Sequence, residues 1–177
     1  MNNSSTANFS RAPKQLGDFG EGLVTYALIR QGFEVAVVDH VGADLIAEKN
    51  EYKIAVSVKT RMFRKGSVES RGTGFDSDHL KKLEHFAKRF NLDPVVAHAA
   101  CMIDDHKIHL FMIRVADIHL HIKKCKGGYS FQYSPKRLKD IIALPYVDYS
   151  CWTEENIGKG LSCVPIAPII EPCQASL

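Results

Sequence analysis

The chain has 177 residues, 45% of them hydrophobic and 24% charged, with a formal net charge of +3. This is enough chain for one domain with a real core, and the composition is that of a soluble globular protein. The mild positive charge permits nucleic-acid binding without arguing for it. No apolar run approaches the ~20 residues needed to cross a bilayer. The polar N-terminus lacks the basic-then-apolar pattern of a secretory signal.

Cys101, Cys125, Cys151, Cys163 and Cys173 include no Cys-x-x-Cys spacing. Neither a disulfide framework nor a zinc knuckle is suggested. Free thiols in a reducing cytoplasm are expected.

Residues 1–13 are rich in Asn, Ser and Thr, and a disordered tail is expected there. The first helix is predicted from Lys14 to Gln31, stopped by Gly32. Leu16, Phe19, Leu23, Tyr26 and Ala27 form its apolar stripe. Glu21 aligns with Val24 and Leu28, so it borders the buried face. Gly17, Gly20 and Gly22 each cost roughly 1 kcal/mol against alanine inside a helix. Their presence implies close approach to a neighbouring element or a ligand, or else a late helix start.

Phe33 to Asp39 is β-branched and predicts a strand, followed by a His40-Val41-Gly42 turn. Residues 43–61 then hold two strand-like runs with Lys49-Asn50-Glu51 between them. Tyr52, Ile54, Val56 and Val58 alternate with Lys53, Ala55, Ser57 and Lys59, so Ser57 and Lys59 share a face. A tight turn centred on Asn50-Glu51 puts Asp44 opposite Ser57, with Cβ atoms roughly 5 Å apart. A turn one residue longer shifts that register. Asp44, Ser57 and Lys59 then gather on one patch of sheet. Taken alone, the patch is equally a surface ion pair worth about 0–1 kcal/mol.

Residues 62–77 carry Arg64, Lys65 and Arg71 just after Arg61, and a long basic loop is expected. Asp76-Ser77-Asp78 offers N-caps for a second helix, with Leu80, Leu83, Phe86, Ala87 and Phe90 as its core stripe. Pro94 to Ile103 and Lys107 to Val115 predict two strands joined at Asp104-Asp105-His106. The second is apolar enough for a buried central position. His119 and His121 would share a strand face, but no third metal ligand accompanies them. Gly127-Gly128 marks a turn, Pro135 to Ala143 a short helix, and residues 146–177 an extended tail. The domain is thus expected over residues 14–145.

Three pieces stand in order on helix, strand and strand: Gly17-x-x-Gly20-Glu21, Gly42-Ala43-Asp44 and Ser57-Val58-Lys59. The set resembles the PD-(D/E)xK nuclease superfamily, in particular small members akin to Holliday-junction resolvases and some homing endonucleases. The resemblance covers residues 14–115. It implies an α/β (α+β) fold with a restriction-endonuclease-like αβββαβ core, a central mixed sheet flanked by helices. It also implies a metal-dependent endonuclease acting on DNA, with a catalytically inactive nuclease-fold protein serving as a nucleic-acid-binding or assembly module as the alternative. Asp44 would be the metal-binding acid, Lys59 the terminal lysine, and Glu21 the helix acid. The Val58 carbonyl would join Asp44 and Glu21 around Mg²⁺ or Mn²⁺. Two positions depart from the family pattern. Ala43 stands where proline is frequent, and Ser57 stands at the second acid, so one metal ion is expected rather than two. The Ser57 hydroxyl would be a weak ligand or would position a water. Arg61, Arg64, Lys65 and Arg71 are the expected DNA phosphate contacts. Cutting both strands calls for two sites, so a homodimer is expected, with Leu161 to Leu177 packing across it.

Overall fold

Pro13 sits in the first turn of α1 (Ala12–Arg30), where its missing N–H costs nothing. Gln31 caps the helix and Gly32, at φ +86°, turns the chain away from it. Helix α1 therefore begins two residues earlier than the sequence suggests, inside the stretch expected to be a tail. The structure, a computed structural model, describes residues 11–64, 72–122, 124, 125, 127–132 and 135–153. The rest of the expected N-terminal tail, and the expected tail after Thr153, lie outside the described residues.

After α1 come β1 (Glu34–His40), β2 (Ala43–Lys49), β3 (Tyr52–Phe63), β4 (Gly72–Asp76) and α2 (Ser77–Phe90). Then follow β5 (Asp93–Met102), a single 3₁₀ turn (Ile103–Asp105), β6 (Lys107–Arg114) and α3 (Val115–His121). The chain goes on through β7 (Lys124–Cys125), β8 (Gly128–Gln132), α4 (Pro135–Ile142) and β9 (Val147–Thr153).

A six-stranded mixed sheet runs in the order β1-β2-β3-β5-β6-β9, and a small sheet in the order β4-β8-β7. β3 and β5 pair in parallel, and α2 makes the crossover such a pair requires. The β2–β3 hairpin closes through Asn50 (φ 49°) and Glu51 (φ 67°), with Lys49 paired to Tyr52. Positive φ at both positions is what a two-residue type I′ turn needs. The register follows: Leu45 pairs with Val56, which carries Asp44 opposite Ser57 as expected.

The sheet buries both faces. Val24 and Leu28 of α1 pack on Leu45, Val56, Leu110 and Trp152. Leu83 and Phe86 of α2 pack on Ala55, Val96 and Phe111 on the other side. Residue parity along β3 thus sends Val56 and Val58 toward α1, and Ala55 and Ser57 toward α2.

Three expectations are corrected. First, β3 continues to Phe63 because its pairing with β5 runs through Phe63–Met102, and β4 starts at Gly72. The expected loop over 62–77 is therefore largely strand at its two ends. Second, Val115–His121 is helix, which removes the strand-face pairing of His119 and His121. Asp117 in its first turn accepts from Arg114 Nε, and a carboxylate favours that end of a helix. Third, Val147–Thr153 is not simply tail but the sixth strand, paired with β6. Its inward positions are Asp148, Ser150 and Trp152, so the apolar alternation that marks a strand is missing.

Candidate active site

α1 meets β3 at Gly20. A Cβ on that glycine would lie 1.7 Å from Thr60 Oγ1, so only glycine lets helix and strand come this close. Gly17 and Gly22 have nothing within 4 Å of a notional Cβ, and close approach does not explain them. The Gly20 contact holds α1, and with it Glu21, against β3. Burial pushes the Glu21 carboxyl up, and the negative charge of Asp44 pushes it further.

Asp44 stands where β2 and β3 part. Its Oδ2 accepts from the Val58 N–H at 2.6 Å and from the Ser57 hydroxyl at 3.3 Å. Ser57, only 2% exposed, also lies 2.7 Å from Nε2 of His79. An ionised carboxylate only accepts, so the single Ser57 proton goes to Asp44. His79 Nε2 is then the donor to Ser57 Oγ, an assignment made from the network. The chain of donors is His79 to Ser57 to Asp44, with Val58 N–H arriving from the side.

Lys59 takes a different direction. Its Nζ donates to the Gly74 carbonyl of β4 and sits 5.7 Å from the centre of the Phe75 ring. Burial lowers its pKa, the Arg61 charge lowers it further, and Asp76 opposes both. His98 is the partner of Lys59 on β5 and is 1% exposed. Burial first, then Lys59 and Arg61, hold its pKa down to about 3. It is neutral at physiological pH and adds no charge beside the lysine.

The expected residues therefore come together in part. Asp44, Ser57 and Val58 share one locus, the Asp44 charge acts on Glu21, and Lys59 turns to Gly74 of β4. Arg61 lies on β3 itself and Arg64 just beyond its end, both exposed. Lys65 and Arg71 lie outside the described residues. His79, Gly74 and Phe75 were missed. The Asp76-Ser77-Asp78 cap does set the start of α2, and so puts His79 in its first turn. Nothing local shows that this turn faces Ser57.

Among the described residues, no group of three or more His, Cys, Asp or Glu side chains forms a metal cage. A magnesium-type ion does not require one. It takes one or two carboxylates and completes its shell with water and phosphate. Glu21 and Asp44 supply two carboxylates whose mutual repulsion a cation would relieve. The donor set fits one such ion and not two.

No protein-family model and no curated protein matches the sequence. Solved structures do match the fold. The structure of Hjc, a Holliday junction resolvase from the archaeal hyperthermophile Archaeoglobus fulgidus, superposes with a TM-score of 0.50 at 17% identity. The match covers 66% of this chain and 84% of that one. The chain has the restriction-endonuclease-like fold. A bacterial homing endonuclease also matches, with a TM-score of 0.45 and 11% identity over 71% of this chain and 86% of that one. In this restriction-endonuclease-like frame, the described residues include no helix long and apolar enough to cross a membrane.

Proposed function

We propose that the protein is a metal-dependent DNA endonuclease of the PD-(D/E)xK type. The observation that supports this reading is the hydrogen bonding of Asp44 to Ser57 and the Val58 N–H where β2 and β3 separate, with the Asp44 charge acting on Glu21. Mg²⁺ or Mn²⁺ would be held by Asp44, Glu21 and the Val58 carbonyl. When bound, the ion supplies polarisation of the phosphate and acidification of a water.

The chain's own residues do the rest. Ser57 and the Val58 N–H fix one oxygen of Asp44, and His79 fixes Ser57. Lys59 neutralises charge that develops on the phosphate. Its lowered pKa eases movement of a proton at Nζ. Arg61, Arg64, Lys65 and Arg71 bind backbone phosphates, which gives affinity without sequence specificity. A cytoplasmic homodimer, with residues 161–177 across its interface, supplies two sites for two strands.

One observation favours a second reading, an inactive nuclease-fold module that binds DNA. The position of the family's second acid is a buried serine whose hydroxyl is committed to Asp44 and His79. Incubation with supercoiled, branched and single-stranded DNA in Mg²⁺, Mn²⁺ or EDTA separates the two. The nuclease reading expects metal-dependent cleavage that disappears in Asp44→Ala and Lys59→Ala. Cleavage that survives both substitutions removes this site from the chemistry. DNA binding with no cleavage of any substrate selects the inactive module.

A further inference from the structure

On the α1 face of the main sheet, a cleft of about 930 Å³ lies against the first turns of α1. Leu16 and Phe19 of α1 form one wall, and Val58, Met62, Cys101 and Ile108 form the floor. Met62 pairs with Cys101, Cys101 with Ile108, and Ile108 with Trp152. These four residues make one row across β3, β5, β6 and β9. Ile108 and Trp152 pack with the cluster under α1, and strand parity puts Met62 and Cys101 on the same face. The row therefore runs from the cleft to the end of β9. That strand ends one residue after Trp152, at Thr153.

Phe19 is 46% exposed and Met62 58% exposed, so the cleft leaves an aromatic ring and a thioether facing solvent. A small-molecule site aims a few polar groups into such a pocket. Here the Lys59 amine is bound to Gly74, and the Thr60 hydroxyl is buried under Gly20. The lining thus suits an apolar chain segment better than a small polar ligand. Two stretches outside the described residues start beside it, residues 1–10 before α1 and residues 154–177 after β9. Residues 1–10 are mostly Asn, Ser and Thr. Residues 161–170 read Leu-Ser-Cys-Val-Pro-Ile-Ala-Pro-Ile-Ile and carry no charged side chain.

We propose that residues 161–170 seat in the cleft of their own chain and strap the first turns of α1 to the sheet. The reach is sufficient. Neighbouring strands lie about 4.8 Å apart, so Met62 is about 14 Å from Trp152 along the row. Residues 154–160, fully extended, span up to about 23 Å. A segment tethered this closely has an effective concentration on the order of millimolar, with which a second copy must compete. Pro165 and Pro168 restrict the segment before it seats, which lowers the ordering cost. Seating removes Val164, Ile166 and Ile169 from water together with Phe19 and Met62. The strap braces the helix that carries Glu21. The homodimer described above then forms over the seated segment, not by exchange of it. The proposal does not depend on the nuclease reading.

The test is photo-crosslinking of the full chain, without DNA or metal. A benzophenone amino acid replaces Phe19 in one protein and Met62 in a second, so that the second carries the test if the first does not fold. Each protein is made with ordinary and with heavy nitrogen, and the two preparations are mixed before irradiation. The expected adduct joins position 19 or 62 to a residue within 161–170, at the mass of one chain and with one label throughout. Ile166→Asp combined with Ile169→Asp should abolish it, because a carboxylate pays to leave water for an apolar cleft. An adduct of mixed label at the mass of two chains would place the partner's segment there and overturn the proposal. An adduct to residues 1–10, no adduct from either position, or an adduct that survives the double substitution overturns it as well.

Discussion

Two carboxylates toward opposite edges of the main sheet have opposite surroundings. Asp44 on β2 receives a main-chain N–H and a serine hydroxyl on one oxygen, in a partly open position. Asp148 on β9 is 4% exposed and accepts from Gln31 Nε2 at 3.0 Å. Its Oδ1 is buried with no partner, and so is the indole nitrogen of Trp152 four residues on. Burial pushes the Asp148 carboxyl up to about 7, against the hydrogen bonds from Gln31 and the Tyr149 N–H. The difference separates a site from a liability. Around Asp44 the donors fix one oxygen of the carboxylate, and its charge acts on Glu21. Around Asp148 the protein bears the cost of desolvating a carboxylate, and no charged group among the described residues pairs with it.

The largest expected effect lies on the Asp44 side. Asp44→Ala should lower DNA cleavage by at least about 100-fold, the scale of losing one electrostatic stabiliser of the transition state. Asp148→Asn should leave turnover per folded molecule unchanged. Initial rates on one substrate in Mg²⁺ check both. Comparable losses in the two variants would erase the contrast.

The next effect lies on the Asp148 side and depends on pH. The folded pKa of about 7 is above the ordinary value of 3.8, so folding retains a proton that the unfolded chain releases. Stability from this group is complete below pH 3.8 and falls as pH rises through 7. Asp148→Asn removes that fall. It should stabilise the protein by a few kcal/mol at pH 8 and by little near pH 4. Urea denaturation at the two pH values reads the difference. The same ΔΔG at both would show that Asp148 is not titrating in this way.

A smaller effect concerns how α1 delivers Glu21. Gly20→Ala drives a methyl into Thr60 and should destabilise by about 1–3 kcal/mol. Gly17→Ala meets nothing within 4 Å and should stabilise by up to about 1 kcal/mol through helix propensity. Thermal melts of the pair test whether Gly20 alone sets the helix–strand distance. Equal shifts would mean that it does not.

What was legible in the sequence is what short-range rules decide. Asn50-Glu51 forms the tight turn, and the turn fixes the register that brings Asp44 to Ser57. The alignment of Glu21 with Val24 and Leu28 shows that it borders a buried face, although Phe19 and Tyr26 of the expected stripe are exposed, and the Gly20 cost points to close contact. What was not legible depends on distant partners. The His79 contact joins residues 22 apart, and the Lys59–Gly74 bond joins residues 15 apart across two sheets. β9 hides because polar Asp148 and Ser150 occupy inward positions that an apolar pattern would have revealed. A period of two places His119 and His121 on one strand face, but their segment is helical, with Asp117 in its first turn accepting from Arg114 Nε.

The central claim is that Glu21 and Asp44 hold one divalent ion. Melting temperature across a Mn²⁺ titration tests it most directly, for the wild type and for Asp44→Asn. A ligand that binds only the folded state raises its stability by RT ln(1 + [L]/Kd). The account predicts a saturable rise in the wild type that fits one site per chain and is lost in Asp44→Asn. An equal rise in both proteins, or none in the wild type at millimolar Mn²⁺, would contradict it.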